Sequence, residues 1–176
     1  LYNIVYSQGG VCLSDGFFAD GISAGLKKDG ANDMAFIYSD VECVVASVFT
    51  TNKMCAAPIR HFRSMGDFKS NFIVINSKNA NAMTGEAGVE DIKEVLSTCK
   101  DSVKNPIMSS TGVIGVRLPK AKIIEGMKLF DLSKKDSNSA SKAIMTTDTF
   151  AKEIAFNVKL DDGSSFNIGA IAKGAG

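Results

Sequence analysis

The single histidine of this chain, His61, stands between two cations in Arg60-His61-Phe62-Arg63, and that placement narrows the chemistry open to it. A zinc site built on two or three imidazoles is excluded within the chain. The cysteines Cys12, Cys43, Cys55 and Cys99, spaced 31, 12 and 44 positions apart, supply no CxxC pair in its place. A hydroxyl–imidazole–carboxylate relay would rest on His61, whose arginine neighbours oppose the imidazolium formed during proton transfer, so His61 reads as a surface or packing residue. Neither GxGxxG nor GxxxxGK[ST] occurs. The glycine-rich stretches are therefore not the usual phosphate cradles.

Three segments remain that are richer in small polar residues than packing requires. NSKNANAMTG, residues 76–85, follows an apolar run and precedes a helical pattern, which is where open α/β sheets bind ligands; Asn and Gly at such a place also serve as turn and cap residues. STGVIG, residues 110–115, offers the Thr111 hydroxyl as a donor and, at Gly112, a backbone amide that nothing shields. Those are the requirements of an oxyanion hole, and equally the composition of an ordinary turn. TTDT, residues 146–149, with Lys173 in the closing KGAG, brings hydroxyls and an ammonium that suit a carboxylate, although threonine-rich strands and solvated lysines look the same.

Strands and helices must position these groups. Short β-rich runs lie at residues 2–6, 34–39, 43–50, 72–76 and 143–147. Residues 89–100 place Val89, Ile92, Val95, Leu96 and Cys99 on one face of a helix, with Glu90 and Asp91 early and Lys100 at its end, as the helix dipole prefers. A second helix over 119–130 starts on Pro119 and carries Ile123, Met127 and Phe130 in one stripe. Residues 134–142, rich in Ser, Lys and Asp, read as a solvated loop. Further on, Ile154, Phe156, Val158 and Leu160 alternate with less apolar residues as a half-buried strand does. A loop of Asp161-Asp162-Gly163 pairs Val158 with Phe166, Phe156 with Ile168 and Ile154 with Ala170, whereas a two-residue loop would set Lys159 against Phe166. Parity selects the longer loop, with Gly163 left-handed.

The whole is a single α/β domain over residues 1–176, a layered-sheet protein without repeats or a linker. At 176 residues, 45% hydrophobic, such a chain hides roughly 70% of its unfolded surface and builds a core without staples. Net charge +1 excludes the strong field of a nucleic-acid or anionic-membrane binder. No apolar run approaches the roughly 20 residues of a membrane helix. The first residues carry neither an initiating Met nor the basic and apolar regions of an intact secretory leader. Reduced, mostly buried thiols in a cytosolic-type compartment follow from the cysteine spacing.

Six motifs stand in order: GFFADGISAGLK (16–27), SVFTTN with AAP (47–52 and 56–58), NSKNANAMTG, STGVIG, MTTDT (145–149) and IAKGAG (171–176). Together they resemble, over nearly the whole chain, the α chain of the ornithine acetyltransferases, also called glutamate N-acetyltransferases, a bifunctional family of arginine biosynthesis. The family usually has Gly where Lys78 stands. The resemblance implies an α-β-β-α layered sandwich completed by a partner β chain. Both chains come from one precursor that cuts itself before a threonine shortly after KGAG, and they assemble as an α2β2 heterotetramer in the cytoplasm, or the mitochondrial matrix in a eukaryote. It implies a ping-pong transfer of acetyl from N-acetylornithine to glutamate through that threonine, with acetyl-CoA as an alternative donor and no resident cofactor or metal. On this resemblance Thr111 and Gly112 form the oxyanion hole, and Thr147 and Lys173 hold the amino-acid substrate. A self-processing amidase or aminopeptidase, in which water replaces glutamate, is the alternative.

Overall fold

The structure, a computed structural model, describes residues 2–174. Its larger sheet is built of β2 (Phe17–Ile22), β3 (Met34–Val44), β4 (Lys69–Asn76) and β5 (Ile107–Ser110), in that spatial order. β4 and β5 run parallel and the other neighbours antiparallel. A parallel pair needs a crossover, and α2 (Gly85–Leu96) provides it. Strand alternation sends Met34, Phe36, Phe72 and Val74 to one face, where α2 and α3 (Lys120–Lys128) cover them with Ile92, Val95, Ile123 and Met127. Phe36 and Phe130 meet edge-on with ring centroids 4.9 Å apart in this core.

The two predicted helices and their buried stripes are present, with shifted ends. α2 begins four residues earlier than expected and stops at Leu96, and Pro119 precedes α3 as its cap residue. Three other expectations are corrected. The runs 34–39 and 43–50 are not two strands: β3 continues through a bulge between Tyr38 and Cys43 and ends at Val44, beyond which no strand pairs with the exposed chain. Residues 134–142 are not a loop, and 143–147 are not a strand. Asp136 accepts a hydrogen bond from the Ser139 amide at 2.8 Å and caps α4 (Ser137–Ala143). Ser and Asn weaken a helical reading of this stretch, yet its small Ser and Ala side chains are what let α4 lie directly on β2. A Cβ on Gly21 would overlap the Ser139 carbonyl. α1 (Ala57–Ser64), too short to show a period, carries His61.

On its other face the sheet presents Ala19, Ala35, Ile37 and Ile75 to α4 and to a tight turn over Gly10–Leu13. A second, antiparallel sheet, ordered β1 (Tyr2–Ser7), β6 (Lys152–Leu160), β7 (Ser165–Ala172), packs beyond them. Its hairpin has the predicted register, Val158 opposite Phe166 and Phe156 opposite Ile168, and Gly163 sits at φ +87°. The side that faces the molecule is the small and polar one: Gly169 lies against the Gly10 backbone and Asn167 donates to the Leu13 carbonyl. The alternating apolar side points outward, leaving Ile4, Tyr6, Phe166 and Ile168 exposed. No helix among the described residues is long and apolar enough to cross a membrane.

Candidate active site

The two motif loops leave the carboxyl ends of the parallel strands β4 and β5, and hydrogen bonds zip them together. The Thr111 amide donates to the Asn76 carbonyl at 3.0 Å, Val113 to Lys78 at 3.1 Å and Gly115 to Ala82 at 2.9 Å. Inside the loop, the buried Asn76 amide group donates to the Asn79 carbonyl and accepts from the Ser110 hydroxyl. Asn79 donates to the carbonyls of Val116 and Arg117, and Asn81 to that of Gly88. The asparagines are thus the internal frame of the site, each tying its side chain to backbone carbonyls of the loops. Lys78, Asn81 and Met83 take positive φ, and Gly112, at φ +136°, lies so close to the Lys78 backbone that a Cβ there would overlap it. Arg117 grips the buried Asp91 of α2 with two bonds of 2.7 and 2.8 Å, fixing the far end of the Thr111 loop. That pairing holds the Asp91 carboxyl below the usual carboxylate range.

Thr111 continues the parity of Ile107 and Ser109, so its side chain faces the sheet surface opposite α2 and α3. There it lines a groove of about 430 Å³ whose walls are mostly apolar, among them Ile73, Ile75, Phe62 and Ile171. Lys173 lines the same groove. The Thr111 hydroxyl has no hydrogen-bond partner among the described residues. Lys173 is not the uncontested ammonium its sequence neighbours suggest, because its Nζ lies 3.3 Å from Asp148. Asp148, whose side chain is 1% exposed, also accepts from Lys152 Nζ at 2.9 Å and from the amides of Gly174 and Thr146. Those bonds, the Lys152 one foremost, pull its carboxyl far below the ordinary range. Asp148 is the residue that reading the hydroxyls of TTDT overlooks, and a carboxylate four positions before a lysine is the signal that reveals it.

Of the four expected site residues, Thr111 and Lys173 meet in one groove and Gly112 adjoins Thr111. Thr147 is exposed beside Asp148 and is not among the residues lining that groove. Of the KGAG segment, Ala175 and Gly176 lie outside the described residues. His61 is half-buried on α1, and burial first, then Lys93, lowers its pKa, with Glu90 opposing. The flanking arginines are not the cause. All four cysteines are free thiols and partly exposed rather than mostly buried. Burial pushes Cys99 up to about 11, far from a thiolate nucleophile.

The family model of the ArgJ family matches residues 18–176. The arginine biosynthesis bifunctional protein ArgJ of Wolinella succinogenes is 53% identical over 180 residues, covering 100% of this chain and 46% of its own length. That of Dehalococcoides mccartyi is 43% identical, covering 98% and 44%. The chain therefore spans less than half the length of the curated relatives it matches. Two crystal structures share the fold: ArgJ from Bacillus halodurans, with TM-score 0.89 at 29% identity, and the ornithine acetyltransferase of Mycobacterium tuberculosis complexed with ornithine, with TM-score 0.78 at 30%. This chain covers 95% and 96% of those crystallised chains, and 99% and 100% of itself is covered in turn. With the family model matching residues 18–176 and relatives aligned over nearly its full length, the chain belongs to the ArgJ family.

Proposed function

We propose that this chain is the α chain of a self-cleaved glutamate N-acetyltransferase that moves acetyl from N-acetylornithine to glutamate, releasing ornithine. The observation that carries the reading is that Thr111 and Lys173 line one mostly apolar groove. Support for cleavage comes from the length match: the chain is nearly coextensive with crystallised chains of the family yet spans under half of the relatives' sequences. The remaining half supplies the β chain, which completes an α-β-β-α sandwich and an α2β2 assembly in the cytoplasm.

The nucleophile is the amino-terminal threonine of that β chain, and its freed α-amine, with an ordinary pKa of about 7.7 to 8.0, takes the hydroxyl proton at neutral pH. Attack on the acetyl carbonyl makes a tetrahedral oxyanion, towards which Thr111 Oγ and the Gly112 amide donate. Collapse expels ornithine and leaves an acetyl-enzyme; glutamate then attacks and the same oxyanion forms again. Lys173, steadied by Asp148, together with Thr147, holds the carboxylate of each amino acid in turn. Protein groups perform every step, so the reaction as proposed uses no prosthetic group. Acetyl-CoA is a second donor to the same threonine, in keeping with relatives named bifunctional.

The test is expression of the full-length gene product. Two chains by mass spectrometry and ¹⁴C passing from acetyl-labelled N-acetylornithine to glutamate are expected. Label released as acetate at a rate indifferent to glutamate would replace the transferase by a hydrolase.

A further inference from the structure

A second cavity, of about 520 Å³, opens on the other side of the Asn76 loop, and four lysines line it: Lys27, Lys28, Lys78 and Lys142. They come from three separate stretches: the segment after β2, the loop after β4, and α4. Two carboxylates, Asp29 and Asp148, line the cavity as well, and Asp33 lies close to Lys27. Asp33 spends both carboxylate oxygens on the amides of Ala24, Leu26 and Lys27, Asp29 accepts from the Ala31 amide, and Asp148 holds Lys152 and Lys173. Lys28, Lys78 and Lys142 have no ion pair or hydrogen bond among the described residues. Lys27 is half-buried, with its Nζ on the carbonyls of Asn32 and Ala143. Desolvation lowers its pKa and the Lys78 charge adds to that, while Asp33 and Asp29 oppose. Lys78 holds its place at φ +72°, a conformation that a residue with a Cβ rarely adopts.

Four ammonium groups outnumber the two carboxylates, Asp29 and Asp148, that line the cavity with them, and this surplus of like charge is relieved when an anion joins them. A single carboxylate would leave part of this surplus uncompensated, whereas a multiply charged tetrahedral anion offers acceptors in several directions to groups that act as point charges with three donors each. We propose that the Lys27, Lys28, Lys78 and Lys142 cavity binds a phosphate- or diphosphate-bearing small molecule. The Lys78 backbone lies directly against Gly112, and Thr146 and Asp148 stand between the cavity and Lys173. A phosphate bound here is a neighbour of the proposed oxyanion hole. Only the use made of the ligand rests on the acetyl-transfer reading; the binding does not.

The experiment takes the self-processed full-length protein and titrates pyrophosphate calorimetrically at low ionic strength. Saturable binding is expected, weakened at least ten-fold in Lys78→Ala and in Lys142→Ala, both exposed and bonded to nothing that folding requires, and retained in the control Lys159→Ala on β6. No binding to the wild type, or equal loss in the control, overturns the site. Lys78→Gly separates charge from backbone, since it keeps the loop's conformation and should bind as poorly as Lys78→Ala; full binding by Lys78→Gly also overturns the proposal. Kinetics of the same variants identify the source of the phosphate. A KM for acetyl-CoA raised at least ten-fold more than that for N-acetylornithine assigns the site to a cosubstrate's phosphates, and equal effects on the two donors assign it to a free phosphate or diphosphate effector. A wild type that binds pyrophosphate but transfers no acetyl sinks the acetyltransferase reading and leaves this site standing.

Discussion

Thr111→Val is the sharpest change available at the scale of one residue, because it keeps shape and β-branching while deleting a hydroxyl that makes no bond among the described residues. Folding should survive it. If the hydroxyl serves the oxyanion, kcat falls about 100-fold to 1000-fold with little change in KM, and both half-reactions slow together in rapid-quench measurements. A variant within a few-fold of wild type makes Thr111 a turn residue. Lys173→Met should raise KM for the amino-acid substrates more than it slows self-cleavage, and unchanged KM values would reduce Lys173 to a partner of Asp148. Asp148 itself sets a pH limit. Its folded pKa is depressed, so the stability it contributes is complete above the unfolded carboxylate value of about 3.9 and drains away as pH falls below that. A pH titration followed by near-ultraviolet circular dichroism should find the Asp148→Asn protein less sensitive than wild type below about pH 4.

Loops that carry chemistry need an anchor on something stiffer, and here the anchor is a helix. Arg117 ends the Thr111 loop on Asp91 of α2, a carboxylate that is buried while the guanidinium is half in water. Asp91→Ala removes a bidentate charged hydrogen bond and should cost about 1 to 2 kcal/mol, the lower end of the range for charged pairs because solvent screens the arginine. Amide hydrogen exchange across residues 111–116 should quicken more than across β4, where the ladder is untouched. Uniform quickening would mean that the pair supports the fold as a whole and not the loop.

The outer face of the β1-β6-β7 sheet is covered by nothing among the described residues. On the β1-β6-β7 sheet, Tyr6, Ile154, Phe166 and Ile168 are 64%, 42%, 47% and 46% exposed and share one face, where Tyr6 and Ile168 flank Phe156 in the paired register and Phe166 stands opposite Val158. An apolar patch of that kind associates. Residues 1–176 expressed alone should bind a hydrophobic dye and aggregate, and Phe166→Asp with Ile168→Asp should cure both. A wild-type segment that is monodisperse and silent to the dye would show that the face tolerates water.

Local spacing determined what depends on a few neighbouring residues. The 3.6-residue stripe of Ile92, Val95 and Leu96 had to be a helix face, and the parity of Val158 against Phe166 had to select a three-residue loop, because each choice buries or exposes its side chains through neighbours in the same segment. The six ordered motifs likewise named the family before any fold was known. Tertiary structure decided the rest. α4 is a helix because Gly21 lets its Ser and Ala residues sit against β2 and Asp136 caps it, neither of which is a property of residues 134–142 taken alone. The apolar side of β6 and β7 faces out because the opposite side, with Gly169 and Asn167, fits the Gly10 turn. Asp148 meets Lys173 from 25 positions away, and the lysine cavity gathers lysines from 27 to 142. Charges brought together over such separations leave no periodic trace in a sequence, since only the path of the backbone makes them neighbours.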